Sequence, residues 1–263
     1  MNKNFSSKGY TIIKKAISIN LISKIQKEIY SYLNIKKNNN SKNYKAFCKK
    51  TETLRIKEWE FTKPIFELLL YKKLIEKMFL EKKLFSVLSD LLGKDLAFCS
   101  DPGANLNLPN KADSKKNYFF KDWHQEIWSG ASPRTIQIWT PLIQKDSKSG
   151  QLELIEGSHQ WGHVPHKNRK PVLLPKKLKI RKLNLKYGDV IVFSTLLLHR
   201  SLPTHSARLA MPCLIKNFKM KDNTFESNRN FQNFSYSEIT KIERILGNHY
   251  LSPFRLKNLG DSS

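Results

Sequence analysis

The sequence predicts an α+β fold, on three observations. Up to Gly93 the apolar residues recur at helical spacing, beyond it short β-prone runs alternate with turn residues, and near the C-terminus a helical pattern returns. Many short strands of this kind imply a sandwich or a barrel. A chain of 263 residues, 40% of them hydrophobic, is long enough to bury one large core. A single domain over 1–263 is therefore expected, with 1–93 as mainly helical support, 94–220 as the β core and 221–263 as a helix and tail.

The elements follow in order. Between Ile19 and Leu33 the residues Leu21, Ile22, Ile25, Ile29 and Leu33 form one helical stripe, with Ser18 or Asn20 available as a cap. The run from Ile35 to Asn43 is polar and reads as an exposed loop between helical segments. From Pro64 to Leu92 the apolar pattern predicts two helices, the second ended by Gly93. Strands are expected at Leu96–Ser100, Tyr118–Ile127, Thr135–Leu142, Gln151–Ile155, Lys179–Leu185, Val190–Leu198 and Arg208–Phe218. The triplet Tyr187-Gly188-Asp189 reads as a turn feeding the buried run Val190-Ile191-Val192-Phe193. Ser237–Leu246 reads as a terminal helix, followed by a polar end expected to fray.

Composition narrows the setting. Cys48, Cys99 and Cys213 are far apart, odd in number and without CxxC spacing, so neither a zinc site nor a disulfide framework is indicated. With no apolar leader and no run of membrane-spanning length, a soluble cytoplasmic protein is expected. The net charge of +25 suggests anionic partners, yet only nine of the 47 basic residues are Arg and the lysines are scattered beside many Asn and Ile. A solvated basic surface is the preferred reading, with a weak bias toward anionic substrates.

The chemistry-bearing residues are His124, Glu126 and His199. In a strand, residues i and i+2 project from one face, so His124 and Glu126 can reach one metal ion while Gln125 points away. His199, at the end of an apolar run, can complete a set of two histidines and one carboxylate. That set leaves the other positions of an octahedral metal open, the arrangement of non-haem Fe(II) oxygenases. Arg208 opens the last long β-like run. Inside a barrel it would need an anionic partner, and its planar guanidinium suits a carboxylate.

Four blocks carry a family resemblance: Trp123-His124-Gln125-Glu126; Ile138-Trp139-Thr140-Pro141-Leu142; Gly150-Gln151-Leu152-Glu153 running into Glu156-Gly157-Ser158-His159; and Gly188-Asp189-Val190-Ile191-Val192-Phe193 running through Leu198-His199-Arg200-Ser201 to Arg208. In this order they resemble the phytanoyl-CoA dioxygenase-like (PhyH) branch of Fe(II)/2-oxoglutarate oxygenases, over residues 5 to 220. The resemblance implies a double-stranded β-helix, a jelly-roll of the cupin-like kind, with iron held by His124, Glu126 and His199. It further implies that 2-oxoglutarate chelates the iron, that Arg208 pairs with its distal carboxylate, and that Ser201 and Trp139 line the pocket. The family usually has Asp where this chain has Glu126, which is one methylene longer with the same oxygen donor. Halogenating relatives carry a small residue there, so Glu126 favours hydroxylation. The spacing from His199 to Arg208 is slightly short for the branch, which makes Arg200 the fallback, although its parity points away.

The implied activity is a dioxygenase that hydroxylates a small or medium-sized organic metabolite while converting 2-oxoglutarate and O2 to succinate and CO2. The rival is a noncatalytic jelly-roll protein binding an anionic glycan or nucleic acid through its basic surface. His159, His163 and His166 are read as structural, with His163 or His166 able to touch substrate, and Trp128, Arg134 and Gln137 are secondary pocket candidates. Specificity should lie in residues 101–117 and 159–175.

Overall fold

In the computed structural model, residues 3–36, 39–54, 58–100, 103–109, 122–147, 149, 151–220 and 230–246 are described. A short helix α1 (Lys3–Lys8) and strand β1 (Tyr10–Ile13) precede the amphipathic helix α2 (Ile19–Tyr32), whose cap is Ser18, its side chain accepting from Leu21 N. Leu21, Ile22, Ile25 and Ile29 are buried, as the stripe predicts. Helix α3 (Asn40–Glu52), capped by Asn39, occupies part of the segment expected to be loop. Two helices were expected between Pro64 and Leu92. Three are found from Glu58 onward: α4 (Glu58–Tyr71) contains Pro64, and Lys73, in the left-handed region at φ 53°, separates α4 from α5 (Leu74–Phe79). Helix α6 (Lys82–Leu92) ends at Gly93, φ 79°, as read.

The strands are β2 (Leu96–Cys99), β3 (Asn105–Asn107), β4 (Ile136–Ile143), β5 (Leu152–Ile155), β6 (His166–Lys167), β7 (Lys170–Pro171), β8 (Ile180–Lys182), β9 (Val190–Ser194), β10 (His199–Ser201), β11 (Arg208–Asn217) and β12 (Phe231–Ser235), followed by helix α7 (Glu238–Leu246). A seven-stranded sheet runs β1-β9-β4-β11-β2-β12, with β3 also on β11, and a three-stranded sheet runs β10-β5-β8. All pairs are antiparallel. The expected strand Tyr118–Ile127 is corrected. Its described part, from Asp122, holds one bridge, His124 to His199, before a 3-10 turn over Glu126–Ser129. The run Val190–Leu198 likewise stops at Ser194, and β10 starts at His199. The large sheet also extends beyond 94–220, taking β1 and β12 from the flanking segments. The tail after Leu246 lies outside the described residues.

Strand alternation sorts the core into two layers. Ile136, Ile138, Val190, Val192, Leu209, Met211 and Ile215 face the helices, packing against Ile25, Ile29, Phe66 and Ile75. The opposite face carries Trp139, Ile191, Phe193 and Ala210, which meet Leu152 and Leu154 of the small sheet. Two sheets closing on one interior form the jelly-roll, or double-stranded β-helix. Helices on one side and sheet on the other make the large sheet a rigid floor for the site. Among the described residues, no helix is long and apolar enough to cross a membrane.

Candidate metal centre

His124 and His199 face each other across a reciprocal backbone pair: His124 N donates to His199 O at 2.9 Å and His199 N to His124 O at 3.1 Å. Their rings lie 4.2 Å apart between centroids. Gln125, extended at φ −110° and ψ 146°, carries the chain on to Glu126, whose N–H donates to Thr195 O at 3.0 Å. Gln125 itself points away from the ligands, as predicted. It is fully buried, donates to Gly162 O at 2.8 Å and Leu196 O at 2.6 Å, and accepts from Val164 N at 2.9 Å. The alternation read as a strand is thus kept by one extended residue, although Glu126 opens a 3-10 turn.

The ligand atoms of His124, Glu126 and His199 all lie within 4.8 Å of one another. Glu126 Oε1 is 3.2 Å from His199 Nε2 and 3.6 Å from His124 Nε2. Nδ1 of His124 is 2.7 Å from Asp122 O and Nδ1 of His199 is 2.9 Å from Leu197 O. A carbonyl only accepts, so each Nδ1 carries a proton, which leaves Nε2 as the ring atom that can offer a lone pair to a metal. Two nitrogen lone pairs and a carboxylate oxygen therefore converge on one spot, an arrangement that calls for a cation between them. This donor set, with backbone carbonyls fixing each tautomer from behind, fits a first-row divalent metal.

The surroundings position these ligands. Ser158 Oγ accepts from Leu198 N at 2.9 Å, holding the residue before His199, and Phe193 packs edge-on to His199 at 4.8 Å. Arg200 faces the other side of β10. Its Nε and Nη2 donate to Glu153 Oε2 at 2.8 and 2.7 Å, and its guanidinium lies 4.5 Å over the Trp123 ring. That engagement removes Arg200 as the fallback for Arg208.

Arg208 is fully buried on the interior face. Its Nη2 donates to Asn107 Oδ1 at 2.6 Å and its guanidinium stands 4.8 Å from the Trp139 ring centroid. Ser201 is buried two residues beyond His199, on the same face of β10. The sequence reading did not single out Asn107, which stands in the alternating run Asn105-Leu106-Asn107-Leu108 with nothing to set it apart from Asn105; the register of β3 on β11 brings it opposite Arg208.

The secondary candidates separate. His159 Nε2 lies 3.1 Å from Ser6 O, a structural tie. His166 stacks on Trp128 at 4.5 Å and His163 lies 5.8 Å from His166, so these rings form a cluster in which Trp128 also packs against Trp123, Val164 and Leu198. Arg134 is exposed, whereas Gln137 is buried. Of the two loop segments expected to set specificity, 101–102 and 110–117 lie outside the described residues. The segment 159–175 contains the β6–β7 hairpin.

No curated protein matches the chain in sequence. Among solved structures, the apo non-heme monooxygenase ThoJ is similar with a TM-score of 0.59 and 14% identity, covering 98% of this chain and 97% of that one. The epimerase SnoN, solved with Fe3+, alpha ketoglutarate and nogalamycin RO, aligns at TM-score 0.53 and 12% identity over 81% of each chain. EvdO2 from Micromonospora carbonacea var. aurantiaca, complexed with 2-oxoglutarate, aligns at TM-score 0.51 and 19% identity over 81% of this chain and 87% of that one. At these identities the likenesses speak to the fold. The family model described as Phytanoyl-CoA dioxygenase (PhyH) matches residues 5–211, well over half of the 263 residues and spanning both histidine ligand positions, the carboxylate and Arg208. The chain belongs to the phytanoyl-CoA dioxygenase (PhyH) family of non-haem Fe(II)/2-oxoglutarate-dependent enzymes.

Proposed function

We propose that this protein is an Fe(II)- and 2-oxoglutarate-dependent dioxygenase that hydroxylates a small or medium-sized organic metabolite. The observation that carries the reading is the convergence of His124 Nε2, His199 Nε2 and Glu126 Oε1, with both imidazoles oriented by their Nδ1 contacts. His124, Glu126 and His199 hold the iron. When bound, the metal and 2-oxoglutarate supply the activation of O2, with release of succinate and CO2.

The remaining work belongs to the protein. Arg208 binds the distal carboxylate of 2-oxoglutarate. Its charge is fully buried and its planar fork is held by Asn107 against Trp139, so a carboxylate is recognised in one orientation. Ser201, on the face of His199, adds a hydroxyl to the same chamber, and Trp139 forms its wall. Leu152, Leu154, Ile191 and Phe193 exclude water from the interior. Glu126 keeps a carboxylate where an exchangeable ligand would otherwise enter, which supports hydroxylation over halide transfer.

Anaerobic addition of Fe(II) and 2-oxoglutarate tests this without a known substrate. A weak visible charge-transfer band is expected in the wild type and should be lost in His199→Ala and in Arg208→Ala. Its absence from folded, metal-loaded wild type would overturn the oxygenase reading. Iron-independent binding to heparin or to nucleic acid, with no 2-oxoglutarate turnover, would then support a noncatalytic jelly-roll binding protein.

A further inference from the structure

Among the described residues, four glutamines are buried: Gln125, Gln137, Gln144 and Gln151. Three are built into the fold. Gln125 makes the three bonds given above. Gln144 Nε2 donates to Leu185 O at 3.1 Å, and Gln151 accepts from Leu185 N at 3.1 Å while donating to Gln144 Oε1 at 3.3 Å. Gln137 is different: it is 5% exposed, and its Oε1 is sealed from water with no hydrogen-bond partner. A buried carbonyl left in that state is destabilising, and this fold satisfies its other buried glutamines.

Its position says what it serves. On β4, Gln137 and Trp139 share a face, and Trp139 forms the wall beside Arg208. Gln137 pairs directly with Phe193 of β9 and with Leu214 of β11. Directly opposed residues project to the same side of a sheet, and Phe193 is the residue packed on His199. Gln137 therefore belongs to the chamber in front of the histidines, one step along β4 from the Trp139 and Arg208 end. The 2-oxoglutarate dianion carries only acceptor oxygens, so it cannot satisfy a carbonyl oxygen.

Resting on the dioxygenase reading above, we propose that Gln137 is the residue that selects the primary substrate, and that this substrate places an O–H or N–H group inside the chamber. The substrate class is an oxygenated or nitrogenous metabolite, such as a glycoside, polyol or amide. A saturated hydrocarbon chain is selected against, because it offers no donor and forgoes the hydrogen bond that a polar substrate gains at the Gln137 carbonyl.

The test compares Gln137→Met with Gln151→Met, each an unbranched apolar replacement of similar length. In ligand-free protein, Gln151→Met should lower the Tm by about 3 °C or more, whereas Gln137→Met should leave it unchanged or raise it. A fall in Tm for Gln137→Met equal to that of Gln151→Met would assign Gln137 to the fold and overturn the proposal. The Fe(II)/2-oxoglutarate charge-transfer band should be intact in Gln137→Met. Loss of the wild-type band instead condemns the dioxygenase reading, so the two failures are distinguishable.

Succinate release is then screened with glucosides, sugar alcohols and N-acetylated amino acids against saturated fatty acids. Stimulation by a compound of the first group, falling about ten- to hundred-fold in kcat/KM in Gln137→Met, is expected. Stimulation by a fatty acid, or by any compound equally in both proteins, would overturn it. Gln137→Leu repeats both measurements with a second apolar shape.

Discussion

Arg208 and Asp189 are both buried ions, and their surroundings assign them different work. Arg208 meets the neutral amide of Asn107 and the Trp139 face, and on the function proposed above its planar fork is what selects the cosubstrate carboxylate. Arg208→Lys keeps the charge and loses the fork, so the affinity for 2-oxoglutarate, titrated through the charge-transfer band, should fall about tenfold or more. Asp189 is structural. Burial raises its pKa, but the Lys14 ammonium at 2.7 Å and the N–H groups of Lys15 and Lys186, each at 3.0 Å, outweigh that and hold the carboxyl below its ordinary value of 3.8. A depressed folded-state pKa adds stability above the unfolded value and loses it as pH falls through the folded one. Asp189→Asn should therefore cost about 1–3 kcal/mol at neutral pH in urea unfolding, with the gap to wild type narrowing as the solution is acidified below pH 3.8. A constant gap would reject the charged role. The convergence of His124, Glu126 and His199 was legible in sequence because the short spacing of the first two and the family blocks survive ignorance of the fold. Asn107 was not, since its partner lies 101 positions away.

At the scale of elements, the segment from Asp122 to Ser129 shows how a ligand pair is placed without a full strand. Its left side is the two-bond bridge to β10, its right side the 3-10 turn, and Gln125 is the nail between them. Gln125→Ala removes three hydrogen bonds and leaves Val164 N, Gly162 O and Leu196 O to find other partners. A loss of about 2–4 kcal/mol is expected from thermal or urea unfolding, together with weaker Fe(II) binding. Unchanged metal affinity would show that the bridge alone suffices. The sequence signalled most elements whose apolar residues follow a period, such as α2, or form an unbroken run after a turn, such as β9. Helix α3 escaped because only Asn43, Phe47 and Thr51 form its buried stripe, and two of these are polar. The division of the Pro64–Leu92 region into three helices depends on one left-handed lysine, which periodicity does not report.

Across the whole molecule, the N-terminal segment fastens the two sheets together. Strand β1 completes one edge of the large sheet on β9, while Lys8 O accepts from Gly157 N at 3.0 Å and Tyr10 donates to Glu156 Oε1 at 2.5 Å beyond the small sheet's β5. That phenol bond, with the Lys179 ammonium, holds Glu156 below the ordinary carboxylate range, and burial pushes the Tyr10 phenol up. Deleting residues 3–13 would bare the β9 edge and free that side of the sandwich. Size-exclusion chromatography should then show aggregation, whereas a monodisperse, metal-binding product would refute the fastening role. The jelly-roll was legible from the count and spacing of short runs together with the family blocks. The contribution of β1 and β12 to the large sheet was not, because sheet membership is decided by partners remote in the chain.

The two imidazoles are backed by one closed ring of backbone bonds, whereas Glu126 hangs from a separate turn anchored on Thr195. The centre is accordingly modular. On the proposed reading, substitution at position 126 would change which exogenous anion reaches the iron while the histidine pair keeps its spacing, so new reactivity would be open to this scaffold through one codon, without rebuilding the sheet that carries it.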